Sequence, residues 1–150
     1  MTETVRAIHL QQERDYRVAI SWDPGHAPLI GDEPPPLGGG AGPNPSQLLI
    51  AAVANCMTDS LVFALRKFKL DAEPLSSEAR GEIGRNEQGR LRVLGIDVAI
   101  SLGRAVGDAP HLQRVLAQFE QFCIVGQSVA QGIPVRVRVL GVDGAVLHGG

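Results

Sequence analysis

The stretch that opens at Asn44 and runs to about Lys69 constrains this chain more than any other. Asn44 is a helix-capping residue, and Pro45 suits the first helical position, where a missing N–H costs nothing. Leu48 to Ala54 then forms an unbroken apolar run. A helix over Pro45–Lys67 is about 35 Å long, at about 1.5 Å per residue. Its first half is apolar on nearly every side, which predicts burial rather than one face laid on a sheet. Arg66, Lys67 and Lys69 fall at its end, where the helix dipole favours cations.

The remaining signals are strands, with one further helical region. Tyr16, Val18, Ile20 and Trp22 alternate with Arg17, Ala19, Ser21 and Asp23, which predicts a strand with one covered face. An earlier strand is expected through Val5 to Leu10, with a turn near Gln12–Asp15. Asp32 to Pro43 is too rich in Pro and Gly for regular structure and reads as a shaped loop. Asn86-Glu87-Gln88-Gly89 reads as a turn between two strands, the second alternating through Leu94, Ile96, Val98, Ile100 and Leu102. Asp108 is placed to cap a second helix with Pro110 in its first turn, and Leu112, Val115, Leu116 and Phe119 form its apolar stripe. Gly126 is expected to interrupt this pattern and Gly132 to end it. Pro134 then opens a strand with Val135, Val137 and Val139 on one face and Arg136 and Arg138 on the wet face. Leu147-His148-Gly149-Gly150 reads as a frayed tail. The order is α+β rather than a regular βαβ series, in a single domain over residues 1–150.

Composition narrows the function classes. Formal net charge is -2 with no dense Lys/Arg block, which argues against a nucleic-acid partner. The amino-terminal residues are polar and charged, without the apolar region of a signal peptide, and the longest apolar run is too short for a bilayer. No membrane association and a cytoplasmic location are expected. The four histidines, His9, His26, His111 and His148, show no metal-ligand spacing, and the cysteines form no CxxC, so no metal or cofactor is expected. Gly38-Gly39-Gly40-Ala41-Gly42 matches neither a P-loop nor a dinucleotide fingerprint.

The chemistry rests on two cysteines, Cys56 and Cys123, the only two in the chain. Peroxide reduction needs a thiolate, and then a second thiol to condense with the sulfenic acid. Cys56, amid Ala51, Ala52 and Ala54, has room beside it for a substrate. Burial would raise its pKa, and the helix dipole has faded by that depth, so a cation from elsewhere is needed. Cys123 falls near a break between helical segments and suits a mobile resolving thiol. The alternative from the residues alone is a pair of inert core cysteines.

Two motifs carry a resemblance. Gly42-Pro43-Asn44-Pro45-Ser46-Gln47-Leu48-Leu49, continued by Ala51-Ala52-Val53-Ala54-Asn55-Cys56, resembles the first signature of the OsmC/Ohr family, the osmotically inducible and organic hydroperoxide resistance proteins. Phe119 to Val129, around Cys123, resembles the second. The resemblance implies an intertwined α+β homodimer, with long central helices packed between curved antiparallel sheets and active sites at the dimer interface. It implies Cys56 as peroxidatic thiol and Cys123 as resolving thiol, acting on organic hydroperoxides and reset by a dithiol reductant such as a lipoyl protein. Peroxidase members of the family usually carry Glu ten residues before the first cysteine, paired with an Arg of the amino-terminal hairpin. Here that position is Ser46. Arg14 and Arg17 are the candidate cations, with Arg14 favoured by its alternation phase, and Asp32 or Glu33 are candidate substitutes for the missing carboxylate. The departure opens a second reading: a binding protein of the same fold that takes a small apolar ligand and has no peroxidase activity.

Overall fold

A computed structural model describes residues 3–107 and 110–150. The chain groups into two compact units, Met1–Leu48 and Leu49–Gly150.

The first unit holds a three-stranded antiparallel sheet of β1 (His9–Arg14), β2 (Arg17–Ser21) and β3 (Leu29–Gly31), in that order. The first hairpin lies later than the sequence pattern predicts: β1 replaces the expected strand at Val5–Leu10, and the turn sits at Asp15 and Tyr16. Arg14 pairs with Arg17 across it, and Asp15 takes a φ of 48°. That left-handed conformation is one that Asp tolerates better than most residues. All six residues of β1 are exposed, so no covered face imposed the alternation that marks β2. The short β3, unmarked by any pattern, precedes the Pro/Gly loop. Asp32, only 4% exposed, organises that loop. Its Oδ1 accepts from the Glu33 N–H at 2.8 Å, and its Oδ2 accepts from the N–H groups of Gly39 (3.2 Å) and Ala41 (3.1 Å). Three amides on one carboxylate explain how an irregular segment holds one shape.

Helix α1 spans Pro45–Lys67, the bounds that the cap and the basic end predict. Asn44 Oδ1 accepts from the Gln47 N–H, and Gln47 Oε1 accepts from the Asn44 N–H, both at 2.9 Å. This reciprocal pair is a capping box with Asn and Gln in the two roles. Although α1 is long and apolar enough to cross a membrane by length and composition, its stripe Val53, Met57, Leu61 and Leu65 is buried in the core of the second unit. All-round burial of its first half is not observed: Ala51 and Ala52 are exposed, and only Val53 is buried there. Among the described residues of this unit, the sheet and the shorter helices pack against one side of the helix.

The core partners of that stripe come from a four-stranded sheet ordered β4 (Ser76–Arg85), β5 (Leu91–Ser101), β6 (Val135–Leu140) and β7 (Val146–His148). Ile96, Val98 and Ile100 of β5 and Val137 and Val139 of β6 point into it. The approach of α1 is close enough that a Cβ on Gly81 of β4 would collide with Ile50. The β5–β6 pair is parallel, where the family resemblance implied antiparallel sheets. A parallel pair needs a long crossover. Here α2 (Pro110–Gln118), a 3-10 turn (Phe119–Phe122) and α3 (Ile124–Val129) supply it. Leu112, Val115, Leu116 and Phe119 are buried as their spacing predicts. The predicted cap Asp108 lies outside the described residues. The helical break falls at the 3-10 turn, not at Gly126, which lies buried inside α3. The expected frayed tail is instead β7, with His148 opposite Val139.

Candidate active site

Cys56 sits midway along α1, half-buried, and Cys123 is wholly buried at the joint between the 3-10 turn and α3. Cys123 is the N-cap of α3, with φ −78° and ψ 100°. Its N–H donates to the Glu120 carbonyl at 3.1 Å, and its Sγ accepts from the Gly126 N–H at 3.2 Å. The sulfur thus takes the place that a Ser or Asp oxygen usually holds at a helix start. The neighbouring N–H of Val125 points to Cys56 Sγ at 3.5 Å. The two cysteine side chains are neighbours, their sulfurs facing the consecutive N–H groups of Val125 and Gly126. Residues far apart in sequence therefore converge, because α1 and the crossover after β5 pack on the same sheet.

Packing around the pair is tight. A Cβ on Gly126 would lie 2.8 Å from both Cys123 Sγ and Met57 Cε, so only glycine lets α3 close over the sulfur. Burial pushes the Cys123 thiol up to about 11, and the adjacent Cys56 side chain adds to the rise. The Gly126 N–H and the Ser60 side chain pull the other way. Cys123 is therefore a neutral thiol at neutral pH. Ser60 escaped sequence analysis as a partner of Cys123. Its signal was its place one turn beyond Cys56, where its Oγ donates to the Cys56 carbonyl at 2.8 Å.

Arg14 and Arg17 belong to the first unit. With Asp15, Asp32, Pro36 and Leu37 they line a cavity of about 590 Å³. Arg17 Nε donates to Glu13 at 2.7 Å, whereas Arg14, exposed, has no ion pair among the described residues. Asp32 is committed to its loop: its carboxyl is held below the usual range by the Ala41 N–H first, with smaller help from Glu33, Gly39 and the charge of Arg17. Glu33 makes no ion pair among the described residues. Ser46 Oγ donates to Asn44 Oδ1 at 2.9 Å and so belongs to the helix cap. Three of the four histidines meet rings: His26 stacks on Trp22 (5.8 Å), His111 on Phe68 (5.2 Å), and His148 meets Phe119 edge-on (5.6 Å).

Residues 38–138 match the family model described as OsmC-like protein. Solved structures share the fold. A putative osmotic stress induced and detoxification response protein from Psychrobacter arcticus is 19% identical with a TM-score of 0.76, covering 92% of this chain and 98% of its own. The organic hydroperoxide resistance protein OsmC of Legionella pneumophila is 16% identical (TM-score 0.69; 93% and 98% covered). The organic hydroperoxide resistance protein OhrB of Bacillus subtilis is 17% identical (TM-score 0.64; 91% and 98% covered). No curated protein matches the chain in sequence.

Proposed function

Given that the chain belongs to the OsmC-like protein family, we propose that it is a thiol peroxidase acting on organic hydroperoxides. One observation carries the reading: the only two thiols of the chain meet, one half-exposed and one buried. Cys56 is the attacker, because a peroxide can reach it. Its thiolate takes the terminal peroxide oxygen, so that the O–O bond breaks, an S–O bond forms, and the alkoxide leaves with a proton as alcohol. Cys123 then condenses with the sulfenic acid, and an external dithiol reduces the resulting disulfide.

Arg14, without an ion pair among the described residues, is the candidate to stabilise the Cys56 thiolate. Phe122 and Ile124, which flank Cys123 in the chain, and Phe63 on α1 are 63%, 80% and 67% exposed. These exposed apolar side chains favour an organic hydroperoxide over hydrogen peroxide, and they also suit the homodimer that the family likeness suggests. Sedimentation of the protein checks the dimer. Thiol titration before and after one equivalent of cumene hydroperoxide tests the enzyme: both thiols of each chain are lost within seconds if the reading holds, and unchanged thiols in a folded protein refute it.

Ser46 favours a second reading. Its hydroxyl is engaged in the helix cap, and it has no charge with which to hold an arginine. A binding protein for a small apolar ligand, without peroxidase activity, would leave the thiols unchanged in the same titration.

A further inference from the structure

His148 ties β7 to the segment that carries Cys123. Its Nε2 lies 2.7 Å from the Glu120 carboxylate, and its ring meets the wholly buried Phe119 edge-on. Glu120 is the hub of that segment. Its backbone carbonyl accepts from the Cys123 N–H at 3.1 Å and from Gln127 Nε2 at 3.0 Å. The chain on both sides of Cys123 therefore hangs on the residue that His148 grips. β7 is only three residues long and pairs with β6 through Val139↔His148 and Leu140↔Val146. A strand so short opens readily unless side chains anchor it. The anchor here reaches the 3-10 turn of Phe119–Phe122, whose end is Cys123.

We infer that the Glu120–His148 pair is a latch that sets the position of Cys123, which makes His148 a positioning residue for disulfide formation. The reaction that it serves rests on the peroxidase reading above. In that step the Cys123 sulfur attacks the sulfur of the Cys56 sulfenic acid. An S–S bond forms, the S–O bond breaks, and the hydroxyl leaves with the Cys123 proton as water. The rate depends on how much of the time the two sulfurs face each other. With the latch open, the 3-10 turn frays, and Cys123 faces solvent more and Cys56 less.

The test compares wild type, His148→Ala and His148→Gln, each treated with cumene hydroperoxide. Sulfenic acid is followed by dimedone trapping and the disulfide by non-reducing mass spectrometry. In His148→Ala the sulfenic acid forms at the wild-type rate, while the disulfide step slows about fivefold, the scale of one partly exposed pair. His148→Gln, which keeps a donor for Glu120, regains most of the rate. An unchanged disulfide step in His148→Ala overturns the latch. A second measurement is independent of peroxide: iodoacetamide labelling of Cys123 in a Cys56→Ser background. Labelling rises about fivefold with His148→Ala and returns with His148→Gln if the latch exists. If the hydroperoxide leaves the wild-type thiols untouched, the peroxidase reading falls. The latch is then decided by labelling alone, and an unchanged rate refutes it.

Discussion

Asp32 and Cys123 are both buried acids held by backbone amides, one in each unit, and their pKa values move in opposite directions. Asp32 receives three N–H groups and the charge of Arg17, and its carboxyl is pulled down in spite of its 4% exposure. Cys123 receives a single N–H on its sulfur and sits among apolar side chains, and it is pushed up to about 11. Burial penalises the charged form of both, so the number of donors decides the sign. The first unit has built a place for a permanent anion that shapes a loop. The second has built a place where a thiol stays neutral at neutral pH.

The sharpest break in this contrast comes from the thiols. On the peroxidase reading, Cys56→Ser lowers hydroperoxide consumption by about a thousandfold or more, since no thiolate remains at the half-buried attacking position. The same change lowers the Cys123 pKa from its value of about 11 while leaving it above an ordinary thiol, because burial remains the larger cause. Hydroperoxide consumption reads the first effect, and alkylation rate against pH reads the second. Arg14→Ala slows peroxide oxidation of Cys56 by about ten- to a hundredfold if Arg14 supplies the cation, and stopped-flow thiol loss measures it.

Gly126→Ala sharpens the contrast from the packing side. The new methyl must displace Cys123 Sγ and Met57 Cε, each 2.8 Å away. Overpacking of this kind costs about 1–3 kcal/mol, read from urea unfolding.

The pH dependence of stability tests the opposite signs directly. The folded pKa of Asp32 is depressed, so its contribution is complete above the ordinary carboxylate value of about 3.9 and is lost as pH falls through the lower folded value. The folded pKa of Cys123 is raised, so its contribution is complete below the ordinary thiol value of about 8.5 and is lost as pH rises towards about 11. Thermal unfolding across pH should show Asp32→Asn flattening the acid limb only, and Cys123→Ser the alkaline limb only. The smallest effect belongs to Glu13→Gln, which removes the exposed partner of Arg17 and costs about 0.5 kcal/mol or less.

The elements that could be read in advance were those with strong local signals. Asn44 and Pro45 fix the start of α1 through a cap that needs no distant partner. The alternation through Ile96, Val98 and Ile100 marks a strand because one side of it is core. β1 lies outside its expected place because an exposed strand carries no such record, and β7 leaves no pattern because three residues are too few to show a period. At the site, Cys56 and Cys123 stood out by type and context. Ser60, Gly126 and the amide of Val125 did not, since their roles depend on which segment faces them.

The long capped helix, the α+β order and the presence of two thiols are written in the chain itself, because caps, periods and residue chemistry act within a few positions. That the thiols meet, that one is buried as a neutral acid, and that His148 reaches Glu120 are set by long-range packing. Those outcomes follow from how helices and strands distant in sequence pack on one sheet, and no local pattern encodes that packing.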